Sequence, residues 1–247
     1  MKNISAIILA AGEGTRLNRG QPSPKPKVLY EVAGKPMIRY CLDILQELAV
    51  EEVVIVVGYL AEEVKKIAGA KFKYASQEKA SGTGEAVRLG LEKIKPGSEH
   101  ILVLYGADIY QESVVEEIIS SHLLESSVVS FLTAEREDPT GLGRIVRDER
   151  GQVKAIVEEK LASEAQKRIT EVNDGCYLFR RDWLERSIKK LRLTKANEYF
   201  LTDLIELAMR ENLQVNAHKM GIPGWFGVDT PEQLRLTDAF VKEMWRQ

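Results

Sequence analysis

The sequence predicts an α/β fold, a Rossmann-like three-layer domain with a mostly parallel, mixed sheet. Two observations carry this prediction. Short runs of Ile, Val and Leu alternate with longer stretches in which apolar residues recur at helical spacing, which is typical of a parallel sheet covered on both faces by helices. After residue 110, strand-like runs follow one another more closely, so antiparallel pairing is expected there.

The first half of the chain supplies the regular alternation. Strands are predicted at residues 4–9, 53–57, 73–76 and 100–105, and helices at 37–48, 61–68 and 84–94. Ligands of such sheets bind beyond the carboxyl ends of the strands. The loops that follow these strands are therefore the first places to look for a site.

The second half is predicted to be mixed. Helices are predicted at residues 114–124, 164–168, 183–191 and 201–211, strands at 128–134, 172–179 and 215–220, and a hairpin from 145–147 and 153–157. Pro231 suits the first turn of a last helix over residues 231–245. We expect one domain over residues 1–229, followed by a C-terminal helix within 230–247.

Composition limits the kind of protein. The 247 residues are 44% hydrophobic and 29% charged, which is enough for one substantial core. The net charge of −2 gives no general field for nucleic acid, so a polyanion must be gripped locally. Cys41 and Cys176 lie far apart with no clustered histidines, which indicates buried thiols in a reducing compartment. The N-terminal apolar stretch of about eight residues is shorter than a membrane span. We expect a cytoplasmic protein that binds neither nucleic acid nor membrane.

The loop after the first predicted strand has the features of a phosphate cradle. Residues 9–16 read LAAGEGTR, and PKVL follows at 26–29. Small residues let backbone N–H groups approach a phosphate, while Arg16 and Lys27 add positive charge. Lys25 is a second lysine in reach. The P-loop spacing and the third glycine of a dinucleotide fingerprint are absent, so the glycines alone would also fit an ordinary strand-to-helix turn.

A second loop, residues 76–84 with the sequence SQEKASGTG, also leaves a predicted strand and enters a helix. Its backbone N–H groups would be exposed at a helix start, and the amide of Gln77 can both donate and accept hydrogen bonds. Such an amide could read the edge of a pyrimidine base. By itself the segment would equally fit an ordinary loop with a helix cap at Thr83.

Together these motifs resemble the sugar-nucleotide nucleotidyltransferases, or pyrophosphorylases, and in particular the N-terminal uridyltransferase domain of bacterial bifunctional N-acetylglucosamine-1-phosphate uridyltransferases. The resemblance runs in the family's order from about residue 4 to residue 234. Further matching segments are YGAD at 105–108, DPTGLGRI at 138–145, IVEEK at 156–160, EVNDG at 171–175, NEYFLTD at 197–203 and GVD at 227–229.

The resemblance implies a fold of the nucleotide-diphospho-sugar transferase type. It also implies Mg²⁺-dependent synthesis of UDP-N-acetylglucosamine, or a close UDP-sugar, and pyrophosphate from UTP and a sugar 1-phosphate. Arg16 and Lys27 would be catalytic, and Asp108 and Asp229 would hold the Mg²⁺. The implied nucleotide-binding residues are Leu9, Ala10, Ala11, Gly12, Gly14, Gln77, Gly82 and Thr83. The implied sugar-phosphate-binding residues are Tyr105, Gly106, Gly143, Glu158, Asn173 and Thr202. The oligomeric state stays open, a homo-oligomer included.

The sequence also departs from the family pattern. An extra alanine, Ala107, displaces Asp108 by one position, Glu85 stands where the uridyltransferases carry a histidine, and Asp174 replaces a threonine beside Asn173. The hexapeptide repeats of the acetyltransferase half do not occur in these 247 residues. Two alternatives therefore remain. One is a cytidylyl- or thymidylyltransferase acting on another phosphorylated sugar, polyol or aminoalcohol. The other is a regulatory module that binds a sugar nucleotide with weak turnover.

Overall fold

The structure, a computed structural model, describes residues 3–18, 24–50, 52–221 and 225–244. Its strands are β1 (Ile4–Ala10), β2 (Glu31–Val32), β3 (Lys35–Pro36), β4 (Glu52–Val57), β5 (Lys73–Ser76), β6 (His100–Tyr105), β7 (Asp108–Tyr110), β8 (Val129–Glu135), β9 (Arg144–Arg147), β10 (Val153–Val157), β11 (Glu171–Arg180), β12 (Val215–Lys219) and β13 (Trp225–Gly227). Its helices are α1 (Met37–Glu47), α2 (Ala61–Ala68), α3 (Thr83–Leu91), α4 (Glu112–Leu124), α5 (Arg181–Ser187), α6 (Asp203–Arg210) and α7 (Pro231–Met244).

The central sheet runs in the order β10-β9-β11-β6-β1-β4-β5, with β8 paired to β11 and β12 paired to β8. β1 lies in the middle and pairs in parallel with β4 and β6, and β4 pairs in parallel with β5. In this register Leu9 stands opposite Tyr105, and Val57 opposite Ser76. The carboxyl ends of β1, β5 and β6 therefore meet at one edge of the sheet, where the two predicted loops begin.

The other half of the sheet is antiparallel where the sequence predicted a change. β11 runs antiparallel to β6 and β8, and β9 and β10 form the predicted hairpin. Apolar layers cover both faces of the sheet, one built around α1 and α4 and the other around α3, α5 and α6. The predicted three-layer α/β fold with a mixed sheet is confirmed.

Several features differ from the prediction. The helix predicted at residues 164–168 is only a 3-10 turn at Gln166–Arg168, and the ribbon of β2 and β3 was not predicted. Residues 183–191 do not form one helix, because α5 starts at Arg181 and passes into a 3-10 turn at Ile188–Lys190. A separate ribbon joins β7 to β13 and places Asp108 opposite Gly227. Strands of three residues are too short to show a periodicity, so sequence patterns could not reveal this ribbon.

The last helix, α7, packs against the first half of the chain. Asp238 on α7 accepts a hydrogen bond from the backbone N–H of Ala33, at 2.9 Å. The ring centres of Phe240 on α7 and Phe226 lie 4.8 Å apart. Within the described ranges no helix combines the length and the apolar character needed to cross a membrane. Cys41 and Cys176 are free and buried, as predicted.

A buried histidine lies near the end of the sheet where β6 begins. The ring of His122 on α4 is bound on both sides, with Nδ1 2.8 Å from the Ser130 hydroxyl and Nε2 3.1 Å from Nδ1 of His100. Burial lowers the pKa of His122 to about 4, with smaller contributions from His100 and Arg180. His122 is therefore neutral in the folded protein at pH 7.

Stability should fall as the pH falls through the window between the two pKa values of His122. Imidazole in an unfolded chain titrates near pH 6.5, so between about pH 6.5 and pH 4 the unfolded state binds more protons than the folded one. We expect this group to lower the free energy of unfolding by about 1–2 kcal/mol between pH 7 and pH 5. Urea denaturation of the wild type and His122→Gln at both pH values measures the difference.

His122→Gln should flatten the pH dependence of the wild type, because it removes the fully buried imidazole. An equally steep loss of stability in His122→Gln would contradict the assignment.

Candidate active site

The loop after β1 brings two cations together. Gly14 has a φ of +69°, and a Cβ added there would lie 2.8 Å from Cβ of Lys27. Only glycine fits this backbone conformation and this approach without strain. The loop therefore holds Lys27 against the segment that carries Arg16.

Both cations bind one carboxylate from the far end of the chain. Nζ of Lys27 lies 2.5 Å from Oδ1 of Asp229, and Nη2 of Arg16 lies 3.1 Å from the same atom. Arg16 also donates to the carbonyl oxygen of Gly141, at 3.3 Å. We call Arg16, Lys27 and Asp229 the cation clamp.

The carboxylate of the clamp is ionised at neutral pH. Burial raises the pKa of Asp229, but the charges of Lys27 and Arg16 outweigh it and leave that pKa below its ordinary value. Two positive charges and one negative charge then face each other, which leaves a net positive site. The side chain of Lys27 is 20% exposed and that of Arg16 is 58% exposed, so both can reach an incoming anion.

The second loop, residues 77–84, is docked on the backbone of Tyr199. Gly84 donates to the carbonyl oxygen of Tyr199 and Tyr199 donates to that of Ser81, both at 2.8 Å. Gly82 has a φ of +102°, and a Cβ there would lie 2.4 Å from the Tyr199 oxygen. Nε2 of Gln77 donates to the carbonyl oxygen of Gly82, at 3.0 Å. One donor of the Gln77 amide therefore holds the loop, and Oε1 is the acceptor it can offer a base.

A third group lies at the edge next to β11 and consists of residues for which the resemblance implies sugar-phosphate binding. On that ground we call Tyr105, Gly143, Glu158, Asn173 and Thr202 the sugar wall. Thr202 donates to Oε1 of Glu158, at 2.8 Å. Burial raises the pKa of Glu158, and the hydrogen bond from Thr202 only partly opposes this effect. The backbone N–H of Asn173 donates to the carbonyl oxygen of Gly143, at 2.9 Å. These contacts join Glu158 to Thr202 and Asn173 to Gly143.

Gly106 and Asp108 are engaged within the protein. The Gly106 N–H donates to the carbonyl oxygen of Leu9, at 3.0 Å, so it is not available to a ligand. Asp108 is 6% exposed, and its Oδ2 accepts a hydrogen bond from Tyr110, at 3.3 Å. Its negative charge raises the pKa of the neighbouring Asp174.

The pairing of Asp108 with Asp174 was not predicted from the sequence. Burial raises the pKa of Asp174 well above its ordinary value and the charge of Asp108 raises it further, while Tyr110 and Arg136 oppose both effects. Because β11 places neighbouring residues on opposite faces of the sheet, Asp174 projects away from the face of Asn173. The presence of Asp174 in place of the family's threonine therefore changes the interior on the other face of the sheet rather than the sugar wall.

The clamp offers a limited set of metal ligands. In the part of the chain that the structure describes, no cluster of three or more His, Cys, Asp or Glu side chains is arranged to hold a metal ion. Mg²⁺ needs no such cluster, since it commonly takes one or two carboxylates together with substrate phosphates and water. The hard oxygens of Asp229 fit that role.

Comparison with known proteins decides the family. The profile of the family described as Nucleotidyl transferase matches residues 5–243. The chain belongs to this family. It is 37% identical over 245 residues to the bifunctional protein GlmU of Thermoanaerobacter pseudethanolicus, covering 98% of this chain and 52% of that protein. It is also 37% identical over 241 residues to the GlmU protein of Bacillus subtilis, covering 96% of this chain and 52% of that protein.

This nucleotidyl transferase chain thus spans about half the length of the curated relatives it matches. A solved structure from Bacillus anthracis, with the provisional name glucose-1-phosphate thymidylyltransferase and in complex with sucrose, aligns with a TM-score of 0.80. That alignment covers 97% of this chain and 95% of the other at 22% identity, and it supports the fold. The predicted resemblance to the nucleotidyltransferases is confirmed at the level of the family.

Proposed function

We propose that this nucleotidyl transferase domain makes UDP-N-acetylglucosamine, or a close UDP-sugar, and pyrophosphate from UTP and a sugar 1-phosphate with Mg²⁺. The observation that carries the proposal is the meeting of three elements at one edge of the sheet: the cation clamp, the loop at residues 77–84 and the sugar wall. The identity to the GlmU proteins over nearly the whole chain supports it.

The reaction assigns a role to each element. A phosphate oxygen of the sugar 1-phosphate attacks the α-phosphorus of UTP, and the bond from that phosphorus to the pyrophosphate oxygen breaks in line. Negative charge grows on the leaving pyrophosphate, and Arg16 and Lys27 would stabilise it. The loop at 77–84 would hold the base, and Asn173, Glu158 and Thr202 would orient the sugar.

A bound Mg²⁺ would neutralise charge on the triphosphate. Asp229 is the described residue of the clamp that would hold it. Asp108 stays in its buried contact with Tyr110 and Asp174, so our proposal for the metal is limited to Asp229. No protein nucleophile is needed, because the attacking atom belongs to the sugar phosphate.

Pyrophosphate release over a matrix of nucleoside triphosphates and sugar phosphates tests the function. UTP with N-acetylglucosamine 1-phosphate should give the highest kcat/KM, and EDTA should abolish release. A higher kcat/KM with CTP or dTTP would replace UTP in the proposal. Tight binding of UDP-N-acetylglucosamine without turnover of any pair would show a regulatory binding module instead.

A further inference from the structure

Tyr177 is fully buried behind the sugar wall and holds one of its members. The centre of its ring lies 6.2 Å from the centre of the Tyr105 ring. Its hydroxyl accepts a hydrogen bond from Nδ2 of Asn173.

The direction of the bond between Asn173 and Tyr177 follows from the second partner of the amide, because a carbonyl oxygen can only accept a hydrogen bond. Nδ2 of Asn173 donates to Tyr177 and also to the carbonyl oxygen of Asp174, at 3.3 Å. Both amide protons of Asn173 are thus used within the protein.

The remaining atom of the amide lies over Gly143. A Cβ added at Gly143 would fall 2.2 Å from Oδ1 of Asn173, so a side chain there would displace the amide. Within the described part of the chain, Oδ1 accepts no hydrogen bond. The side chain is held with its donors turned inward and its acceptor left for a ligand.

We infer that Tyr177 is a positioning residue for sugar recognition. By taking an amide proton of Asn173, it keeps Oδ1 presented to a donor on the sugar, such as the N–H of a 2-acetamido group. This inference rests on the proposed function. The terminal torsion of asparagine is broad and roughly two-fold, so an amide without this anchor would also present its donors.

The surroundings of Tyr177 allow a clean test. The centre of its ring lies 6.0 Å from that of Phe179, on which it is stacked, and 6.3 Å from that of Phe131. Tyr177→Phe therefore removes the hydroxyl and keeps the packing of the ring. Tyr40 provides the matched control. Tyr40 is also buried, and its hydroxyl donates to the carbonyl oxygen of Val32, at 2.7 Å, on a helix outside the sugar wall.

The experiment measures kcat/KM for N-acetylglucosamine 1-phosphate and glucose 1-phosphate. A site built to hydrogen-bond a substrate group discriminates against analogues that lack it. We expect Tyr177→Phe to lower the preference for the N-acetylated sugar about 10-fold, mainly through KM, with the KM for UTP unchanged. Asn173→Ala should lower the preference at least as much, and Tyr40→Phe should leave it intact. If Tyr177→Phe kept the wild-type preference for N-acetylglucosamine 1-phosphate over glucose 1-phosphate, the inference would be overturned.

A second readout separates this inference from the proposed function. The side-chain amide signals of Asn173 in ¹⁵N-labelled free protein, assigned by their loss in Asn173→Ala, report the anchor without any substrate. Tyr177→Phe should shift these signals and speed their exchange with solvent, and Tyr40→Phe should not. If the wild type turns over no sugar phosphate but these signals shift, the proposed function fails and the anchor stands. Unchanged signals in Tyr177→Phe would overturn the positioning role.

Discussion

Replacing Lys27 by alanine should lower kcat by about 10²-fold, with a smaller effect on the KM for UTP. The lysine is held by the close approach at Gly14 and lies 2.5 Å from Asp229, so it is fixed in place before any ligand arrives. A fixed cation stabilises charge that develops during the reaction more than charge already present in the substrate. Steady-state kinetics with UTP varied at saturating sugar phosphate measure both parameters.

Lys25 provides the control for Lys27, since it lies two positions away and its Nζ is 4.6 Å from the centre of the Tyr30 ring. Lys25→Ala should keep kcat within about twofold, because this contact lies outside the clamp, whereas Arg16→Ala should lower kcat by about 10²-fold as well. If Lys27→Ala changed only the KM for UTP, the lysine would be a binding residue and not a catalytic one.

The second large effect is expected at Asp229. Asp229→Ala should lower turnover by at least about 10²-fold and raise the Mg²⁺ concentration needed for half-maximal activity, because it removes the proposed carboxylate ligand. Asp229→Asn should also bind UTP more tightly than the wild type in EDTA. In the wild type the triphosphate must compete with Asp229 for Arg16 and Lys27, and the neutral amide removes that competition.

Calorimetric titration with UTP in EDTA measures this competition without turnover. Asp108→Asn is the comparison, since its carboxylate is bonded to Tyr110 in the interior. We expect Asp108→Asn to keep the Mg²⁺ dependence of the wild type. If Asp108→Asn needed more Mg²⁺ and Asp229→Asn did not, Asp108 would be the metal ligand that the resemblance first implied.

The sequence predicted those features of the structure that local residue patterns determine. The strand at β1 and its glycine-rich loop could be recognised because a buried strand needs consecutive apolar residues and the turn at Gly14 needs a positive φ. The clamp was recognised only in part, because Lys27 and Asp229 lie 202 positions apart and no local pattern joins them. The resemblance to a family assigned a role to each of these residues, but their ion pair was not predicted.

The sequence predicts the strand β11 but not which of its two faces meets the candidate site. Asp174 and Asn173 are neighbours on β11, and alternation along a strand sends them to opposite faces. Asp174 joins Asp108 in the interior, while Asn173 lies at the sugar wall. Tyr177 was missed because a buried tyrosine in an apolar run reads as core, and its hydroxyl gains a role only through partners on other elements.

The long sequence separation between the two sides of the cation clamp affects the order in which the domain folds during its synthesis. Arg16 and Lys27 leave the ribosome about two hundred residues before Asp229, the only described carboxylate shown to bind both. Contacts of such separation close late, because the entropy of the intervening chain must be lost first. A nascent chain that has already formed β1 and β4 would therefore still carry two uncompensated cations at its surface. On the proposed role of Asp229, the domain would become competent for nucleotidyl transfer only once the segment that carries this residue has folded.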